Sequence, residues 1–288
     1  AATQNAFFAH WRGRNKAKKA ANLMGSLWRL GQLVPVQGIG AEKPEAACRD
    51  AYLAARLLAD DLKSLGIDTD CAPVLDLPVA GAHEIIGDRA YGDTVAQVAA
   101  LGRAVADGFI AGGVLPVIKH IPGHGRATAD SHLDLPLVTT SRRELENTDF
   151  ATFRDLADMP AAMSAHVVFS AIDEAHPAST SAKVTYEIIR GYIGFDGLLM
   201  SDDLGMKALS GPMRARAEAV IASGSDIALH CNGDLAEMQA VAQGVPTLAG
   251  TALARFERAL AVTSTTKPYD REAAELALAD ALARHTVA

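Results

Sequence analysis

The sequence predicts an α/β protein built on a parallel barrel, and three observations support this. Short apolar runs alternate with helical segments through short connections, the pattern of a parallel sheet. Polar residues fall at the C-terminal ends of successive runs: Asp76, Lys119, His120, His166, Asp202 and Asn232. A doubly wound sheet usually gathers its ligand groups at one switch point beside a glycine-rich phosphate loop. No GxGxxG or Walker sequence occurs here. Polar groups at many strand ends instead suggest a barrel with its site at the top.

The elements follow in order. Residues 45 to 65 place Tyr52, Leu53, Leu57, Leu58 and Leu62 at helical spacing, with Gly66 at the C-terminus. Cys71 to Asp76 reads as a short strand ending on a carboxylate, and a loop carries Gly87 to Tyr91. A helix over 94–111 shows Val95, Val98, Leu101, Val105 and Phe109 on one face. Val114 to Ile118 is a buried strand leading into Lys119 and His120. Ser141 and Glu144 form a capping box that opens a helix running to about Ala157. Strand 161–165 ends on His166, a helix covers 181–191, and strand 197–201 runs into Asp202 and Asp203. Helix 213–223 leads to strand 226–229, which ends at His230, Cys231 and Asn232, and the remainder reads as helical. Five parallel strands are clear after residue 45, against eight in a closed barrel.

The 288 residues suit one domain over 1–288, with an atypical segment at 1–45. Nearly half the chain is hydrophobic at 49%, but only 5% is aromatic, so the core must be mostly Ala, Leu, Val and Ile. A net charge of −7 argues against a nucleic-acid partner. Cys48, Cys71 and Cys231 are too few and scattered for a disulfide framework or zinc site, and they suit a reducing cytoplasm. No apolar run approaches the length of a membrane span, and no signal peptide is evident. Before Glu42 the chain has no acidic residue, while Arg12, Arg14, Lys16, Lys18, Lys19 and Arg29 make this segment basic.

Residues 117–132 concentrate five proton-handling or hydrogen-bonding groups: Lys119, His120, His124, Asp130 and His132. Gly-broken loops that gather such residues are more often binding or catalytic than structural. A tight Pro-Gly-His-Gly turn and a metal site on His120, His124 and His132 are the competing readings, though no HExxH pair is present. Ser201-Asp202-Asp203 is the second constellation. Adjacent carboxylates on an extended chain point to opposite sides, so one can face a site. Either both cap a following helix, or Asp202 attacks a carbon that becomes oxocarbenium-like. The second reaction needs an acid for the leaving oxygen and then a base for water. A His oriented by an Asp supplies both near neutral pH, and Asp130 and His132 are two residues apart.

The segments KHIPGHGRATADSH, APVLD, IGDRAYG, MSAHVVFSAID and LLMSDDLGM resemble those of bacterial glycoside hydrolase family 3 β-N-acetylglucosaminidases of the NagZ type. The resemblance runs from about residue 50 to 240. It implies a (β/α)8 barrel that removes terminal non-reducing N-acetylglucosamine with retention, without metal or organic cofactor. Its usual carbohydrate substrate would be a GlcNAc-1,6-anhydro-MurNAc peptide from cytoplasmic cell-wall recycling. By position, Asp202 matches the nucleophile, His132 the acid/base and Asp130 its dyad partner. Arg89, Lys119 and His120 match residues that hold the sugar. Arg89 also suits an ion pair with Asp88 or Asp93, and Lys119 a solvated strand end.

Two departures stand out. Gly205 occupies a position that is commonly Ser. The family pattern also places several strands and a DQEGGRVQR-like sugar-binding segment before APVLD, whereas residues 1–40 contain no Asp. The barrel is therefore expected to be incomplete or altered at its N-terminus, through truncation or replacement. Substitute strands, with Leu33 to Val36 the best candidate, or completion by a partner chain are the alternatives. An impaired sugar-binding relic is the competing functional reading.

Overall fold

Strand-helix alternation produces an all-parallel sheet in the computed structural model, which describes residues 6–8, 44–81, 86–127, 131 and 134–286. Its strands are β1 (Ala6–Phe8), β2 (Thr69–Asp70), β3 (Leu115–Ile121), β5 (Ala161–Ser164), β7 (Leu198–Asp203) and β8 (Ile227–His230). They lie in the order β1-β8-β7-β5-β3-β2. Four of the five expected strands are present, the one expected over 71–76 lies instead at Thr69–Asp70, and β1 adds a sixth by pairing Ala6 with Ala228 and Phe8 with His230. Among the described residues this makes six strands of an incomplete barrel, with β1 and β2 at the edges. The candidate strand at Leu33–Val36 lies outside the described residues.

Side-chain alternation divides the sheet into two faces. On one face Ile118, Ala162 and Leu199 join a core with Phe109's neighbour Ala106, Phe150, Phe153 and Phe195 from the covering segments. On the other, Leu115 and Val117, Ala161 and Met163, Leu198 and Met200, and Ile227 and Leu229 form a second cluster. Helix α7 (Gly250–Ala261) packs Leu253 and Phe256 against this cluster. Arg255 fixes it by pairing with Asp196 at 2.6 Å and Asp226 at 3.2 Å, just ahead of β7 and β8. The N-terminal strand ends are thus covered by α7. Continuing the two-residue period upward reaches Lys119 on β3 and Asp202 on β7.

Helix α1 (Pro44–Ser64) buries Ala47, Ala51, Ala55, Leu58 and Leu62 against Leu101, Val105 and Phe109 of α2 (Val95–Ala111). Thr94 caps α2 by accepting from the Gln97 N–H. Later helices are α5 (Met213–Ala222), α6 (Leu235–Gly244) and α8 (Arg271–Thr286), in agreement with the helical reading of these stretches.

Four details differ from the sequence expectations. The helix opened by Ser141 breaks into α3 (Arg142–Asn147) and α4 (Asp149–Arg154). Thr148 marks the break: it has left helical geometry at φ −125°, ψ −90°, and its hydroxyl donates to the Glu144 carbonyl at 2.7 Å. Glu144 does not close the capping box but pairs with Arg126 at 3.0 Å. Residues Val184–Tyr192 wind as a π-helix rather than an α-helix. The strand expected over 71–76 is displaced to Thr69–Asp70, and within 71–76 only Val74 bridges β3, where Pro73 has no N–H to give. Contact with β3 nonetheless resumes, with Lys119 N–H donating to Pro73 O at 3.0 Å and Leu75 N–H to Lys119 O at 2.6 Å. Finally, β4 (Leu137–Val138) and β6 (Val168–Phe169) form a separate parallel pair, too short for a sequence period to reveal.

Candidate active site

β3 and β7 both lose their regular register at the end where polar residues begin. On β3, Lys119 faces Met163 and Ile121 faces Ser164, so His120 is an extra residue. On β7, Met200 faces Ile227 and Asp203 faces Leu229. Such bulges bend a strand and re-aim its side chains, which is why they recur beside active sites. Here they turn Lys119, His120 and Asp202 into one cleft of about 120 Å³, together with Ile86, Arg89, His124 and Ser131. Five residues singled out from the sequence, Arg89, Lys119, His120, His124 and Asp202, therefore meet in space. The other two, Asp130 and His132, lie outside the described residues. Ser131, which separates them in the chain, lines the cleft.

The turn Pro122–Gly125 is shaped by close packing. A Cβ on Gly125 would stand 1.9 Å from the Leu77 carbonyl oxygen. Gly123 has φ +148°, and a Cβ there would stand 2.9 Å from Asp149 Cβ. Arg126 then ties the exit of the turn to α4 and its approach, donating to Asp149 at 2.7 Å and Thr148 at 3.2 Å.

Asp76 organises the floor of the site. It is fully buried and accepts from His120 Nδ1 at 2.6 Å, the His120 N–H at 3.3 Å and the His124 N–H at 2.7 Å. Burial alone would raise its pKa, but the charge and hydrogen bond of His120, with His124, hold it below the usual carboxylate range. Because Nδ1 donates to Asp76, Nε2 of His120 is directed at Asp202 Oδ2, 4.0 Å away. His124 is itself buried and shares a 3.0 Å hydrogen bond between Nε2 and Ser131 Oγ. Burial, then the neighbouring His120, pushes the pKa of His124 down to about 4, so its ring is neutral near pH 7.

Asp202 has 16% of its side chain exposed. Burial opposes its ionisation, yet His120, His166, the Asp203 N–H and Lys119 outweigh this and keep its pKa low. The ionised oxygen is thus available to an electrophile entering the cleft. Asp203 points elsewhere, as the opposed geometry of adjacent strand residues requires. Its Oδ1 accepts from the Gly205 and Cys231 N–H groups, each at 3.0 Å. It therefore caps a turn and links the ends of β7 and β8. The alternative in which both aspartates cap a helix is not met, since the next helix begins only at Met213. A Cβ on Gly205 would stand 3.0 Å from Asp203 Oδ2, so the missing side chain leaves room for this carboxylate.

The sequence marked Asp76 and His166 as strand-end polar groups but assigned neither a role. Their partners, His120 and Ser179, are 44 and 13 residues away in the chain. Among the described residues no group of three or more His, Cys, Asp or Glu could hold a metal ion, and His132, which the metal alternative also needs, lies outside them.

Known proteins share the sequence and fold of this chain. A β-hexosaminidase of Bordetella pertussis is 39% identical over 212 residues, covering 71% of this chain and 60% of that protein. One from Alkalilimnicola ehrlichii is 42% identical over 180 residues, 61% of this chain and 51% of its own. The chain thus spans about 50–60% of the length of these curated relatives. The solved NagZ of Neisseria gonorrhoeae superposes with a TM-score of 0.75 at 33% identity, over 87% of this chain and 74% of that one. The same protein has been solved in complex with N-trifluoroacetyl-D-glucosamine. The family model for the glycosyl hydrolase family 3 N terminal domain matches residues 23–262. By that match, which takes in every residue of the cleft, the chain belongs to glycosyl hydrolase family 3.

Proposed function

We propose that this protein hydrolyses β-linked terminal N-acetylglucosamine from the non-reducing end, with retention of configuration. The observation that carries the reading is Asp202: a carboxylate kept ionised on the inner face of β7, opening into a cleft lined by Lys119, His120 and Arg89. An oxocarbenium-like centre needs such an anion beside it, and the donors suit sugar hydroxyls. Asp202 attacks the anomeric carbon and forms a glycosyl ester as the aglycone leaves. His132, paired with Asp130, protonates the departing oxygen and then takes the proton of the water that hydrolyses the ester. Asp202 and the ring of His132 thereby return to their starting states.

Support for the sugar comes from the related NagZ that binds an N-acylated glucosamine. The β-hexosaminidase relatives support the reaction class. The motif resemblance extends the reading to GlcNAc-1,6-anhydro-MurNAc peptides and to cell-wall recycling in the cytoplasm. No helix among the described residues is long and apolar enough to cross a membrane. The test is release of nitrophenol from 4-nitrophenyl N-acetyl-β-D-glucosaminide, with the first-formed anomer observed by NMR. Appearance of the β-anomer first supports the mechanism, and appearance of the α-anomer overturns it. Saturable sugar binding without turnover would instead favour the binding relic.

A further inference from the structure

Strand β5 pairs with β7 only as far as Ser164 and Ser201. Asp202 and Asp203 therefore lie one and two residues beyond the ladder on that side. On the other side the β7–β8 register is broken between Met200 and Asp203. Beyond that break the β8 side holds the end of β7 again, with Leu204 N–H donating to the Leu229 carbonyl at 2.9 Å, but the β5 side offers no ladder bond there. His166, two residues past the end of β5, supplies a substitute: its Nε2 lies 3.1 Å from the Asp203 carbonyl oxygen. Asp203 in turn gives its N–H to Asp202 Oδ1 at 2.8 Å.

The ring has only one arrangement that satisfies its neighbours. A carbonyl oxygen can only accept, so Nε2 carries the proton. Nδ1 then accepts from the Ser179 hydroxyl at 2.6 Å. Ser179 is itself fixed: its N–H donates to the Ala165 carbonyl at 3.1 Å, and its own carbonyl lies 3.0 Å from Ser223 Oγ, whose hydrogen it shares with the Val220 carbonyl at 2.7 Å. His166, Ser179 and Ser223 are all buried, at 0%, 0% and 2% exposure. His166 is thus out of reach of a ligand in the cleft, and it acts on Asp202 through the Asp203 backbone as well as electrostatically across space.

We propose that His166 is a positioning residue for Asp202, with Ser179 selecting the tautomer that lets it hold the Asp203 carbonyl. The chain from Ser179 to His166 to Asp203 fixes the N–H that orients and stabilises the Asp202 carboxylate. Burial lowers the pKa of His166, so the neutral ring this arrangement needs is the form present at neutral pH. The catalytic meaning of this chain rests on the proposed role of Asp202, but its physical content does not.

The experiment follows the Asp202 carboxyl carbon by NMR through a pH titration of the substrate-free protein, with its signal assigned by loss in D202N. Lys119 and His120 from β3, Asp203 from β7, and Cys71 and Cys231 at the ends of the flanking strands also influence Asp202, and they stay constant across the variants. H166L removes the donor and is expected to raise the midpoint by about half a pH unit or more. H166Q keeps an N–H donor and should restore most of the wild-type midpoint. S179A, the milder change should H166L fail to fold, should move it in the same direction by less. An unmoved midpoint in folded H166L or S179A overturns the proposal, as does an H166Q shift equal to that of H166L. A wild type that turns over no sugar would sink the proposed function, and the titration would still decide the role of His166.

Discussion

Asp76 Oδ2 stands 2.6 Å from Nδ1 of His120, and the same carboxylate accepts the N–H groups of His120 and His124. One fully buried anion thus fixes both the ring and the backbone of the β3 exit. D76N should cost about 1.5–3 kcal/mol at neutral pH, the scale of hydrogen bonds to a charged group, measured by urea unfolding. Because the folded pKa of Asp76 is depressed, its contribution is complete above the unfolded carboxylate value of about 3.9. It is lost as pH falls through the lower folded value. The gap between wild type and D76N should therefore be constant from pH 5 upward, within about 0.5 kcal/mol, and close in stronger acid. A gap that widens below pH 4 would contradict the assignment.

His124 acts in the same sense, through its neutral form. Its folded pKa of about 4 lies below the ordinary histidine value of 6.5, so the unfolded chain binds the extra proton first. Stability should fall as pH drops from 6.5 towards 4, with a full effect on the order of 3 kcal/mol. Replacing His124 with Gln should remove this part of the slope. Identical slopes in wild type and H124Q, measured by urea unfolding across that window, would rule it out.

The Arg126 guanidinium is the partner of Asp149, whose side chain is only 2% exposed. R126M leaves that carboxylate buried beside the Thr148 hydroxyl oxygen, 2.8 Å away, whose single hydrogen is shared with the Glu144 carbonyl. The expected loss is about 3 kcal/mol, seen as a lower urea midpoint. The double variant R126M/D149N should recover part of it. No recovery would mean that Arg126 contributes through packing rather than charge.

Gly125 tests the packing of the turn. G125A places a methyl into the Leu77 carbonyl and should cost about 1–3 kcal/mol or prevent folding. A Tm within 1 °C of wild type would show that the turn is not pressed against Leu77.

The parts of the site that follow from alternation were legible in the sequence. Lys119 and Asp202 continue inward-facing series on β3 and β7, and each follows an apolar run that marks the strand. The division of labour between Asp202 and Asp203 follows from the same alternation. What joins residues far apart in the chain was not legible. No local pattern couples Asp76 to His120, or His166 to the Asp203 carbonyl, because those bonds arise where two ladders end. The π winding of Val184–Tyr192 and the two-residue strands β4 and β6 escape periodicity for similar reasons: one keeps a helical hydrophobic pattern, and the others are too short to have one. Strand β1 sits in a basic segment with no strand-like alternation, and its pairing with β8 is purely tertiary.

If His132 is the acid, H132A should slow aglycones with poor leaving groups by about 10²–10⁴-fold and spare good ones. The paired substrates are an alkyl and a dinitrophenyl N-acetyl-β-glucosaminide. Equal losses on both would remove His132 from the acid role.

The central claim is that Asp202 forms the bond to the sugar. A 5-fluoro N-acetylglucosaminyl donor with a dinitrophenyl leaving group should slow hydrolysis of the ester enough to trap it, and peptide mapping by mass spectrometry then locates the label. The label is expected on the peptide carrying Ser201-Asp202-Asp203, with fragmentation assigning it to Asp202 and no label in D202A. A label on any other residue, or undiminished turnover by D202A, would contradict the account.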